Sequence, residues 1–198
     1  MTPKRTLRAS VTAALAGALL AAVTACSTTD PTPIPTPTTA QTPTTTATPT
    51  PKPAPSVDPE VAEAEAAVIA AYRGYWDGLV TSYADPARPQ SPALAANSDD
   101  TALTDAQAAL IQLQSSDIHL VGEPVLTPSV TSIDLSSAPT ATIVDCVDAS
   151  NWLPVFTSSG ESAAAPDQAT RLTYEATAFR PEDRWLIRTV TVHRDQPC

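Results

Sequence analysis

Two patterns of apolar residues follow one another along this chain, and they predict helices first and strands afterwards. Val61, Ala64 or Glu65, Val68, Tyr72, Tyr75 or Trp76, and Leu79 recur at three- and four-residue spacing, which puts them on one face of an α-helix. Asp58 suits the N-cap, and Pro59 suits the first helical position, where a missing N–H is no loss. Glu60, Glu63 and Glu65 favour the positive end of the helix dipole. The spacing predicts a helix over 59–82, with its aromatic residues in the second half, ended by Pro86, Pro89 and Pro92. Thr104-Asp105-Ala106-Gln107 fits a capping box and starts a second helix, with Ala106, Leu110 and Leu113 on one face. A short helical turn at 92–96 lies between the two.

Beyond Ser116 the composition turns strand-like. Ile118, Leu120, Val125, Leu126, Val130, Ile133 and Leu135 stand among Thr and Ser, with Gly122-Glu123-Pro124 as a bend or bulge. Segment 140–148 is a strand carrying Ile143, Val144 and Val147. Segments 171–180 and 184–194 form a hairpin around Pro181-Glu182-Asp183. If Arg180 pairs with Trp185, Ala178 faces Ile187 and Tyr174 faces Thr191. The stretch 151–166, with Trp152 and Phe156, is a loop. Helices followed by strands indicate an α+β fold, with the N-terminal helices packed on one side of a curved antiparallel sheet.

The residues before this domain follow neither pattern. Lys4, Arg5 and Arg8 precede an apolar run from Ala9 to Ala25, too short for a membrane-spanning helix but suited to a signal peptide. Val23-Thr24-Ala25-Cys26 resembles the bacterial lipobox. That resemblance implies a diacylglycerol on the Cys26 sulfur, removal of residues 1–25, and attachment of the chain to the outer face of the cell membrane by its acyl chains. Two or more such chains hold stably where one is marginal. Residues 27–57 contain 12 Thr and 9 Pro. They lack an apolar period and read as an extended, disordered stalk with a reach on the order of 95 Å. The expected organisation is therefore a leader over 1–25, a lipidated Cys26 with its stalk over 26–57, and one domain over 58–198.

Charge narrows the partners of that domain. It carries 7 Arg and 20 acidic residues, a formal charge of −13, and no Lys. Electrostatic binding of nucleic acid or of an anionic bilayer surface is disfavoured. Besides Cys26 the chain has only Cys146 and Cys198. In an oxidising, exported setting these two are expected to form a disulfide that staples the C-terminus to a central strand. No Gly-x-Ser-x-Gly elbow, phosphate-cradling glycine array or Ser-x-x-Lys is present, and His119 and His193 do not have metal-ligand spacing. No cofactor and no metal site is expected.

The long opening helix from Asp58, the strand Ala141-Thr142-Ile143-Val144-Asp145-Cys146-Val147-Asp148 and the closing stretch from Arg184-Trp185-Leu186-Ile187 to Asp195-Gln196-Pro197-Cys198 resemble actinobacterial lipoproteins with a nuclear transport factor two-like domain. The arginine-over-lysine, Ala-, Thr- and Pro-rich composition is of the same kind. The resemblance implies a cone of helices on a bent sheet. It also implies two uses for the interior of the cone. Proton-transfer enzymes of that fold line it with Tyr, Asp and His, roles that Asp145, Tyr72 and His119, with Tyr75 and Tyr174, would fill. Alternatively, Tyr72, Trp76, Trp152, Tyr174 and Trp185 would receive a small apolar ligand or a segment of a cell-envelope protein. The fold alone assigns neither. The binding or accessory role is the expectation, and an isomerase- or dehydratase-like activity is the alternative.

Overall fold

The computed structural model describes residues 58–198; the leader, Cys26 and the Thr/Pro tract lie outside the described residues. Helices α1 (Pro59–Ala84), α2 (Pro92–Asn97) and α3 (Asp100–Ser115) precede strands β1 (Ile118–Gly122), β2 (Ser129–Asp134), β3 (Thr140–Asp148), β4 (Trp152–Phe156), β5 (Arg171–Phe179) and β6 (Leu186–Pro197). The fold is α+β, with helices packed against antiparallel sheets. The strands divide between two sheets, β2-β3-β5-β6 and a separate ribbon of β1 and β4. The expectation of a single sheet is corrected accordingly.

The Asp58 carboxylate accepts the Glu60 N–H at 2.9 Å, and Pro59 follows it as the start of α1. The helix runs two residues beyond 82, which brings Tyr83 onto the stripe of Ala64, Val68, Tyr72, Tyr75, Trp76 and Leu79. Ser82 keeps the following turn satisfied inside the protein. Its hydroxyl donates to the Gly78 carbonyl at 2.7 Å and accepts the Ser91 N–H at 2.9 Å. Gly78 is required where α2 crosses, because a Cβ there would come within 2.6 Å of the Leu94 backbone.

Helix α3 begins at Asp100, not at Thr104. The Asp99 carboxylate accepts the Asp100 N–H at 2.8 Å, and the Thr104 hydroxyl donates back to the Asp100 carbonyl at 3.1 Å. Thr104 therefore sits inside the helix. The earlier start follows from a tertiary tie that local sequence does not carry: the Asp99 N–H donates to the Ile187 carbonyl at 3.0 Å. Asp100 takes a left-handed φ of 53° at this junction, a conformation that Asp tolerates better than most residues.

Strand β3 alternates cleanly. Ala141, Ile143, Asp145 and Val147 are buried, while their neighbours are less so. The β5–β6 hairpin starts in the expected register, with Ala178 opposite Ile187. An irregularity between Thr177 and Ala178 then pairs Thr177 with Thr189 and moves Tyr174 opposite Val192, not Thr191. A single extra residue in one strand shifts every later pair in this way.

The predicted loop over 151–166 is also corrected. Trp152–Phe156 is strand β4, running from Trp152 opposite Gly122 to Phe156 opposite Ile118. Pro154 breaks the strand signal in the sequence, but a two-stranded ribbon tolerates it. Gly122 has φ 79°, and a Cβ there would collide with the Asn151 carbonyl oxygen. The glycine is thus needed where the ribbon closes on itself.

Candidate functional site

The aromatic half of α1 meets rings from β4 and β5 in one cluster. Trp76 is its centre, at 2% exposure. It meets Tyr72, Tyr75, Trp152 and Tyr174 edge-on, with centroids 5.4–6.3 Å away. Tyr83 stacks on Trp152 at 6.1 Å and donates its hydroxyl to the Ala106 carbonyl at 3.0 Å. Four of the five candidate binding aromatics thus come together, contributed by α1, β4 and β5.

Trp185 does not join them. It is buried at the β5–β6 turn, with the Arg180 guanidinium 5.7 Å from its ring centroid. The cluster instead gains Tyr83. The α-helical period reaches Tyr83 from Trp76 in seven residues, but a helix ended at 82 leaves it out.

Asp145 is the only charged residue among the buried ones described, at 1% exposure. None of Arg171, Arg180 and Arg188 pairs with it. Those arginines pair with Asp148, lie over Trp185, and pair with Asp100 while lying over Phe179, respectively. Asp145 instead points inward. Its Oδ1 accepts the Thr127 N–H at 2.7 Å and the Thr127 hydroxyl at 3.3 Å. Pro124 and Pro128 flank the chain here, where it leaves the Val125–Asp148 bridge before entering β2. The carboxylate therefore does the work of a ladder carbonyl for Thr127. Thr127 was not legible as a partner, since nothing in its local pattern marks it.

Burial raises the pKa of Asp145, against the opposing effects of the Thr127 hydrogen bonds, the Tyr72 hydroxyl and the Arg73 charge. Burial likewise pushes the Tyr72, Tyr75 and Tyr174 hydroxyls upward, and the Asp145 charge adds to this at Tyr72 and Tyr174. A carboxyl and a phenol are thus neighbours inside the protein. His119 is elsewhere: on β1 its Nδ1 lies 3.1 Å from the Thr157 hydroxyl. It lines a cavity of about 360 Å³ between the end of α1, Asp117 and Thr157. The expected Asp–Tyr–His set is therefore not assembled.

Cys146 and Cys198 form a disulfide, with Cα atoms 5.9 Å apart and a sequence separation of 52. Cys146 alternates with Asp145, so the bond lies on the sheet face away from the aromatic cluster. The Arg171 guanidinium donates to the Cys146 sulfur at 3.5 Å. Among the described residues, no group of three His, Cys, Asp or Glu is placed to hold a metal ion, and no helix is long and apolar enough to cross a membrane.

Comparison with protein-family models and with curated proteins returns no match for this chain. Among solved structures, it is similar to the intermembrane space region of the chloroplast protein ARC6, at 12% identity and a TM-score of 0.38, over 70% of this chain and 98% of that one. At that score the likeness carries no inference about what this chain binds.

Proposed function

We propose that the chain is a lipid-anchored module on the outer face of the cell membrane, without catalytic activity, that binds or supports a cell-envelope protein partner or a small apolar ligand. The lipobox-like Val23-Thr24-Ala25-Cys26 and the Thr/Pro stalk support the location. The resemblance to actinobacterial lipoproteins with a nuclear transport factor two-like domain is part of the same reading. The observation that carries the non-catalytic role is Asp145. One of its oxygens is engaged by Thr127, and the residue is buried at 1% exposure. A general base must reach the proton it abstracts, and this carboxylate serves the backbone.

A proton-transfer enzyme is the second reading. The raised pKa of Asp145 beside the Tyr72 hydroxyl favours it, whereas the position of His119 on β1 counts against it. Two experiments test the proposal. Detergent phase partition of wild type against Cys26→Ser should move the protein from the detergent phase to the aqueous phase; retention in the detergent phase refutes the anchor. A pull-down from detergent-solubilised membranes, using the full chain as bait, should retain the same partner with wild type and with Asp145→Asn. Turnover of a small molecule that Asp145→Asn abolishes would establish the enzyme instead.

A further inference from the structure

Arg171 and the disulfide share the outer face of the sheet. Cys146 lies opposite Thr173 and Asp148 opposite Arg171, so Cys146, Asp148 and Arg171 project to the same side. Nη2 of Arg171 donates to the Cys146 sulfur at 3.5 Å, while its Nε faces Asp148 Oδ2 at 3.8 Å. The guanidinium therefore touches one named sulfur of the bond. The two cysteines differ in access as well. Cys146 is half-buried on β3, and Cys198 is exposed just beyond β6. Past His193 the register breaks, and Pro197 opposite Leu172 is the one later pair. The disulfide is the covalent hold on residues 194–198.

Thiol–disulfide exchange depends on which sulfur the incoming thiolate reaches and on which sulfur leaves as the better thiolate. Both criteria favour attack at Cys198. That residue is the more accessible, and the departing Cys146 thiolate keeps a charge-assisted hydrogen bond from Arg171. Attack at Cys146 would enter beside the guanidinium and would expel a Cys198 thiolate that no described residue holds in this way. The Asp148 contact is long and exposed, so it leaves most of the arginine charge to the sulfur. We propose that Cys198 is a site of S-thiolation by low-molecular-weight thiols, with Arg171 directing the exchange. The thiolate lone pair forms the new bond to Cys198 Sγ, and the electron pair of the old bond leaves on Cys146 Sγ. No further oxidant or reductant takes part. The products are a mixed disulfide at Cys198 and a Cys146 thiolate beside Arg171, with residues 194–198 no longer tied to β3. Only a sulfur has to be reached, so a small thiol suffices. This site stands whether or not the domain binds a partner.

Brief treatment of the full chain in detergent with β-mercaptoethanol, which carries no charged group besides its thiolate, tests the proposal. Any free thiol at Cys26 is alkylated first. After early quenching with acid, mass analysis of peptides should find the adduct on Cys198 and the free thiol on Cys146. Exchange through unfolded chain would mark both cysteines. A neighbouring arginine changes the acidity of a thiol by about one unit or more. With a leaving-thiol sensitivity like that of the attacking thiol, about 0.5, Arg171→Gln should slow adduct formation about threefold. Arg171→Lys should restore the rate. Unchanged circular dichroism would report that both variants are folded. An adduct mainly on Cys146 or equally on both cysteines overturns the site. So does the absence of any adduct on folded protein at a thiol concentration that modifies the urea-unfolded chain. A rate that is unchanged or raised in folded Arg171→Gln, or that Arg171→Lys does not restore, overturns the directing role of Arg171.

Discussion

Asp145 and Asp148 lie three residues apart on β3, one facing the helices and the other facing away. Asp145 is buried, and desolvation raises its pKa. Asp148 lies in a turn where the Ser150 N–H donates to it at 2.9 Å, and its pKa is lowered, first by Ser150 and least by Arg171. The pleat alone separates them, because successive side chains point to opposite faces. The inner face holds the fold by packing and by the hydrogen bonds that Thr127 donates to Asp145. The outer face holds it by a covalent bond and by exposed polar contacts. The same residue type thus becomes a structural pin on one face and a solvated turn cap on the other.

If the inner face carries the packing, truncating its centre should have the largest effect. Trp76→Ala removes the ring that Tyr72, Tyr75, Trp152 and Tyr174 all contact. It should cost roughly 3–5 kcal/mol in chemical denaturation. A loss below about 1 kcal/mol would mean that the cluster is loosely packed, and the contrast between the faces would fail. On the outer face only the disulfide should approach this size. Replacing both Cys146 and Cys198 by Ser opens a loop of 52 residues and should cost roughly 2–4 kcal/mol. Denaturation of wild type with and without reductant gives the same comparison without mutation.

Asp145 sharpens the comparison further. Asp145→Ala strands the Thr127 N–H and should cost roughly 1–3 kcal/mol at low pH. Its pH dependence has a definite sign. The folded pKa is raised above the unfolded value. Its stabilising contribution is therefore complete below the unfolded pKa and is lost as pH rises through the folded pKa. Asp145→Asn keeps an acceptor for Thr127 and carries no charge, so it should flatten that fall. A denaturation profile against pH that is the same in wild type and Asp145→Asn would show that burial does not govern this carboxyl.

Ile143, Val144 and Val147 make β3 legible as a strand, but not which face is inner: Val144 is apolar and less buried, whereas Asp145 is charged and points inward. Nor do they make Asp145's partner legible, because Thr127 becomes its donor only once the chain has crossed from the Val125 bridge to β2. The same holds for the start of α3. Asp99 and Thr104 are both good caps locally, and the tie from Asp99 to Ile187 decides between them. In β4 the local signal misleads, since Pro154 reads as a breaker while pairing with β1 overrides it. Trp152, Tyr72 and Trp76 were legible as a group by aromatic character alone. Trp185 shares that character, and its place at the hairpin turn separates it from them.

The smallest expected effect lies on the outer face. The Arg171–Asp148 contact is 3.8 Å long, with side chains 56% and 32% exposed. Solvent and salt screen such a pair, so Arg171→Gln should change stability by no more than about 1 kcal/mol. Carboxyl titration of Asp148 is the more telling measurement. Arg171 is the weakest of the influences that lower its pKa, and the turn that presents the Ser150 N–H stays in place without the arginine. Asp148 in Arg171→Gln should therefore still titrate below the ordinary carboxylate range. Stability associated with Asp148 is present above its unfolded pKa and lost as pH falls through its folded one, the reverse of Asp145. If the Asp148 pKa returns to its ordinary value without Arg171, the ion pair rather than the turn sets it. The outer face would then depend on charge pairing, not on local hydrogen bonds.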